Sequence, residues 1–150
     1  MNRRHAQQGT TTVEFAIVGA VVITVIMAVI QFSYTMFSFN VLNEGTRRAA
    51  RVAAVCPVND PAIAQAATFV SLPGLTTQNV TLEYLNETGG VIGNPTANFG
   101  AIEYVRVRIV NYQYTGWIPF MNLVFTSPGF AATLPRESLG VPREGVVTPC

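Results

Sequence analysis

From Phe15 to Ile30 the chain reads FAIVGAVVITVIMAVI, with no charge and a single polar side chain, Thr24. The run softens through Gln31, Ser33 and Tyr34 but stays charge-free to Asn43. At about 1.5 Å of rise per residue, about 20 such residues cross the hydrocarbon core of a bilayer. Residues 15 to about 36 meet that length. No proline occurs before Pro57, so nothing stops the helix at the end of the span. Leu42, Gly45, Ala49, Val52 and Cys56 alternate spacings of three and four, which places them in one helical stripe. Glu44 precedes Arg48 by one turn, the favourable order for a helical ion pair. The pattern predicts one helix from about Thr11 to Val55, roughly 65 Å long, of which a bilayer core takes about 30 Å. The small residues of the stripe admit close packing by the chain's own head, the favoured reading, or by a neighbouring helix.

Charged residues make up 11% of the 150-residue chain, less than half of the roughly 25% of an ordinary soluble domain. The net charge of +1 gives no field for nucleic acid. Arg3 and Arg4 precede the span and Arg47, Arg48 and Arg51 follow it, so positive charge alone does not orient it. A cleaved secretory signal needs a shorter apolar core followed by a small-x-small site. Here the bulky QFSYTMFSFN follows instead.

Residues 57–150 read as a small α+β head. Asp60-Pro61 starts a short helix that runs to about Val70, before Pro73-Gly74. NVTLEYLN alternates as a strand, with Val80, Leu82 and Tyr84 opposite Thr81, Glu83 and Leu85. AIEYVRVRIVNYQY is the clearest strand, with Val105, Val107 and Ile109 on one face and Tyr104, Arg106 and Arg108 on the other. FAATLPRESL supplies a last strand, and Pro135 places it at an edge. WIPFMNLVF is apolar between turn signals and reads as core, with a partner-facing or membrane-dipping loop as the alternative. The expected fold is thus a long transmembrane helix continuing into a head with a short helix and three or four mostly antiparallel strands. Cys56 and Cys150 are the two cysteines. An outward head in an oxidising compartment favours a bridge between them; the alternative is a buried thiol and a separate terminal one.

The residues do not assemble a catalytic motif. His5 is the sole histidine and lies ahead of the span. No cluster has metal-ligand spacing and no phosphate loop or nucleophile motif is present. The expectation is a protein that is not an enzyme and that uses no cofactor or metal.

Glu14 stands at the mouth of the apolar run. Thr11-x-x-Glu14 fits a capping box, and a carboxylate in a first turn suits the helix dipole. Yet a charge beside a lipid-facing run is costly and points to function. The basic leader MNRRHAQQG, then TTTVE, then FAIVGAVVITVIMAVI resembles a type IV prepilin-type signal. The run from GTTTVEFAIV through NEGTRRAARVAAVCP, with the late LPRESLG, is similar to TadE-like minor pseudopilins of the tight-adherence (Flp) pilus system. The resemblance implies a 1–9 leader cut between Gly9 and Thr10 by a prepilin peptidase, a 10–56 helix, and a 57–150 periplasmic head. It implies that Glu14, fifth in the mature chain, pairs with the Thr10 amine of an adjacent subunit and sets axial register. Thr10 stands where type IV pilins usually carry phenylalanine, which leaves N-methylation open. Implied partners are the peptidase, other pilin and pseudopilin subunits, the inner-membrane assembly platform and membrane lipid. The contrasting reading is a periplasmic binding module that the helix merely tethers.

Overall fold

The computed structural model describes residues 5–69, 72–118, 121–141 and 150. Its elements are α1 (His5–Val55), α2 (Pro61–Ala67), β1 (Val80–Leu85), β2 (Tyr104–Ile109), β3 (Gln113–Ile118), β4 (Met121–Thr126) and β5 (Phe130–Pro135). Three strands form an antiparallel sheet in the order β1-β2-β5, and β3 and β4 form a separate two-stranded hairpin. The protein is α+β, with a long apolar helix ahead of its sheets.

α1 runs unbroken for 51 residues, about 76 Å at the helical rise. It begins before Thr11, because Ala, Gln and His ahead of Gly9 all accept helical geometry and one glycine costs only about 1 kcal/mol. Thr11 and Glu14 therefore lie inside the helix in the intact chain, and the expected capping box does not start it. The leader arginines Arg3 and Arg4 lie outside the described residues. The serine and threonine hydroxyls along the apolar stretch are satisfied within the helix. Thr24 and Ser33 donate to the carbonyls of Ala20 and Val29, each at 2.8 Å. Thr35 and Ser38 do the same to Gln31 and Tyr34, each at 2.9 Å. Such bonding one turn back lets a hydroxyl sit where no water reaches.

The distal part of α1 is the spine of the head. Leu42, Ala49, Ala50, Ala53 and Cys56 are buried there with Val105, Val107 and Ile109 of β2 and Ile63 and Ala67 of α2. The Asp60 side chain caps α2 by accepting from the Ala62 N–H at 2.8 Å, and Pro61 takes the first position. α2 stops at Ala67 instead of reaching Val70, which lies outside the described residues. Where α2 crosses α1, a Cβ on Gly45 would sit 2.4 Å from the Ala67 carbonyl oxygen, so only glycine permits this approach.

β1 and β2 pair with Glu83 opposite Arg106, and Arg106 binds Glu83 across the strands. Val105, Val107 and Ile109 are buried while Tyr104 is exposed, as alternation requires. Leu85 is buried as well as Tyr84, because Val91 folds back and bridges to it. β5 pairs only with β2 and is an edge strand, with Pro135 at its end.

Two expectations about the sheet need correction. AIEYVRVRIVNYQY is two strands, because Asn111 adopts a left-handed backbone (φ 56°) and breaks the chain between β2 and β3. The apolar WIPFMNLVF supplies the end of β3 and most of β4, raising the total to five strands in two sheets.

The chain end returns to the tip of α1. The N–H groups of Glu137 and Leu139 donate to the Ala54 carbonyl, and that of Gly140 to the Val55 carbonyl. Ser138 adds its hydroxyl to Val55 at 3.1 Å. These bonds satisfy carbonyls that any helix leaves open at its C-terminus. Gly140 has φ 77° and lies against Pro57, where a Cβ would come within 2.6 Å of the ring. Cys56 and Cys150 are disulfide-bonded, with Cα atoms 5.8 Å apart across a separation of 94 residues. A loop of that length is worth about 4.5 kcal/mol in the chain-entropy account.

Candidate assembly segment

The start of α1 presents Thr10, Val13, Glu14 and Ile17 along one helical face. Thr10 and Glu14 are one turn apart and both exposed. Gly9 and Thr10 are consecutive helical residues, so the Gly9–Thr10 bond lies within α1. Among the described residues Glu14 has no ion-pair partner. The apolar side chains above it are also bare. Phe15 is 80% exposed and Ile17, Val21, Ile23, Val25, Val29 and Phe32 are each more than half exposed. Water is an unsuitable medium for this surface, since covering one such side chain is worth about 1.5–3 kcal/mol. α1 is long and apolar enough to cross a membrane, and none of its most apolar window is buried in the protein. A helix at the centre of a soluble core would be covered by its own chain. This one is compatible with a single-pass membrane anchor.

The predicted stripe lies elsewhere. Leu42, Gly45 and Ala49 are buried and Val52 is half-buried, all against the chain's own head. That face is therefore occupied by the chain itself. Glu44 and Arg48 pair at 2.9 Å with both side chains about half exposed. Arg48 also lies over the Phe69 ring, 4.0 Å from its centroid.

Between the two segments is a tyrosine cluster that sequence reasoning did not find. Tyr114 of β3 donates to the Thr35 hydroxyl at 3.0 Å. Its ring packs edge-on against Tyr34, 6.1 Å between centroids, and stacks with Tyr112 and Phe125. Tyr112 donates to the Pro73 carbonyl at 3.1 Å. Burial, with Tyr34 and Tyr114 close by, pushes the Tyr112 hydroxyl up to about 12. Tyr84 is likewise raised by burial, partly offset by the N–H of Asn59 that it accepts. Tyr114 and Thr35 are 79 residues apart, so no local period signals their contact.

Among the described residues no three His, Cys, Asp or Glu side chains converge as a metal site would require. The chemistry on display is that of a bare apolar helix with one carboxylate at its entrance, joined rigidly to a folded head. Residues 9–51 match the family model of TadE-like proteins. The segment from Gly9 to Arg51 is thus TadE-like, as its sequence resemblance implies, and it takes in both Glu14 and the buried stripe. The strands and the hairpin lie outside the match. No curated protein and no solved structure matches the chain.

Proposed function

We propose that the protein is a minor pseudopilin of a Tad (Flp) pilus, held in the inner membrane by residues 15–36 with its head in the periplasm until assembly. The observation that carries this reading is Glu14: an exposed carboxylate, without an ion-pair partner among the described residues, at the entrance of a bare apolar helix whose sequence is TadE-like. A prepilin peptidase cuts between Gly9 and Thr10 on the cytoplasmic side. The bond is helical in the intact chain, so cleavage needs local unwinding, and glycine makes that easier than other residues do. The cut creates an α-amine at Thr10. Glu14 of one subunit then pairs with the Thr10 amine of another pilin or pseudopilin. In an apolar medium that attraction is far stronger than in water, although desolvation offsets much of it. It sets the axial register between helices. The Cys56–Cys150 bridge supports a head in an oxidising compartment. The rigid junction between span and head also favours assembly over a loose tether.

The test is expression with and without a prepilin peptidase, followed by N-terminal sequencing. A mature start at Thr10 that depends on the enzyme and is lost in Gly9→Ala supports the proposal. A chain that still begins at Met1 in cells making the peptidase overturns it. In the same cells Glu14→Ala should insert normally yet block pilus assembly; normal pili would remove the docking role.

A further inference from the structure

The β3–β4 hairpin differs in chemistry from the sheet beside it. The three-stranded sheet carries Glu83, Arg106 and Arg108 on its outer face. Between Arg108 and Arg136 the chain holds no charged residue, and the hairpin lies wholly inside that interval. On β4, Val124 is 61% exposed and Phe125 37%. β3 and β4 also carry the apolar residues Trp117, Ile118, Met121 and Leu123. A soluble head has no reason to show water two apolar side chains such as Val124 and Phe125 side by side.

The hairpin also has a definite direction. Ile109, at the end of β2, lies beside Gly45. Tyr114, five residues on, is bonded to Thr35. From Gly45 to Thr35 the helix falls by about 15 Å, so the contacts of Ile109 and Tyr114 lie at two successive levels of α1. The chain is therefore running down α1 toward the apolar segment as it enters β3. It meets the helix where Gln31, Ser33 and Tyr34 follow the apolar run from Phe15 to Ile30. An open cleft of about 590 Å³ lies at that junction, lined by Ile30, Gln31 and Tyr34 of α1, Pro73 and Gly74, and Tyr114 of β3. Tyrosines such as Tyr34 and Tyr114 beside a spanning helix belong at the membrane–water boundary, where a ring can be apolar at one end and wet at the other.

We propose that the β3–β4 hairpin is a second membrane contact, lying in the interfacial layer of the leaflet on the head side, with lipid filling the cleft against α1. The inference rests on the reading of α1 as a membrane span. The open edges of a two-stranded sheet need water or headgroups as partners, so the hairpin stays at the interface and does not enter the hydrocarbon centre. Its continuity with the spanning helix and its freedom from charge favour lipid over a protein partner. The contact holds the head down on the membrane before any assembly.

The chain's single tryptophan is Trp117 in β3, so one native fluorophore reports on the hairpin. The full chain is reconstituted in phosphatidylcholine–phosphatidylglycerol vesicles, with and without lipids brominated near the headgroup end of the acyl chain. The expected result is a loss of Trp117 emission with brominated lipid and a shift to shorter wavelength relative to the denatured chain. A second variant, Trp117→Phe with Val22→Trp, reports insertion of α1 separately. Quenching at position 22 without quenching at Trp117 overturns the hairpin contact and leaves the span standing. No quenching at either position removes the span and this inference together. Trp117 shielded from aqueous acrylamide yet untouched by brominated lipid, at high protein density, would assign the surface to a neighbouring subunit and overturn the proposal.

Discussion

One helix serves two media. Below about Phe37, α1 offers valine, isoleucine and phenylalanine all around its circumference, and nearly all are exposed. Above Ser38 it turns to alanine, glycine and threonine on the side facing the head, and Ala49, Ala50 and Ala53 have no exposure at all. Helix propensity does not separate the two halves. The difference is the size of the side chains and what covers them. Large β-branched residues suit a lipid or helix neighbour that adapts to their shape. Small residues suit a fixed sheet and a second helix that approach to backbone distance, as at Gly45 and Ala67. Because no break separates the halves, the head cannot rotate freely about its anchor.

The largest expected effect tests whether the two halves are energetically separate. Val25→Arg places a charge in the middle of the apolar half, which costs about 2.5–3.5 kcal/mol on insertion scales. The expected outcome is a marked fall in carbonate-resistant membrane association, while a head-only readout, thermal unfolding followed by near-ultraviolet circular dichroism in detergent, stays where it was. Loss of the head's transition would show that the halves are coupled.

The converse substitution belongs to the upper half. Gly45→Val drives side-chain atoms into the Ala67 carbonyl, and overpacking of this kind costs about 1–3 kcal/mol. The same unfolding measurement should show a lower Tm, with membrane association unchanged. An unaltered Tm would mean that α2 moves aside without penalty and that the close crossing is incidental.

The comparison also explains which parts were legible in the sequence. The long apolar helix, the stripe of Leu42, Gly45 and Ala49, and the alternation of β2 are local patterns, and each has its observed place in the structure. Pro135 at the end of an edge strand is also local chemistry. The helix start was misplaced because a capping motif is only permissive: preceding residues that accept helix override it. The β2–β3 break was missed because a left-handed Asn111 leaves no mark on an otherwise alternating run. The tyrosine cluster and the capping of α1 by residues 137–140 depend on partners far away in the chain, 83 residues in the case of Ser138 and Val55. The apolar WIPFMNLVF could be read as core or as membrane contact because both demand the same composition. Of the proposed docking pair, the positions of Thr10 and Glu14 on one face follow from helical spacing, whereas their role requires a second subunit.

The smallest effect lies at the surface of the upper half. Glu44 and Arg48 form the ion pair that their spacing foretells, at 2.9 Å. Both groups remain about half exposed, so water screens the attraction, and such helical pairs are worth about 0.3–0.5 kcal/mol. Arg48 has a second contact, the face of Phe69, and it keeps that contact when the carboxylate is removed. Glu44→Ala also gains from alanine's helix propensity. The expected outcome is a Tm change near the limit of measurement, insensitive to added salt. A large destabilisation that salt reproduces in the native chain would show that charge, and not the packing of small residues against the sheet, holds the upper half of α1 to the head.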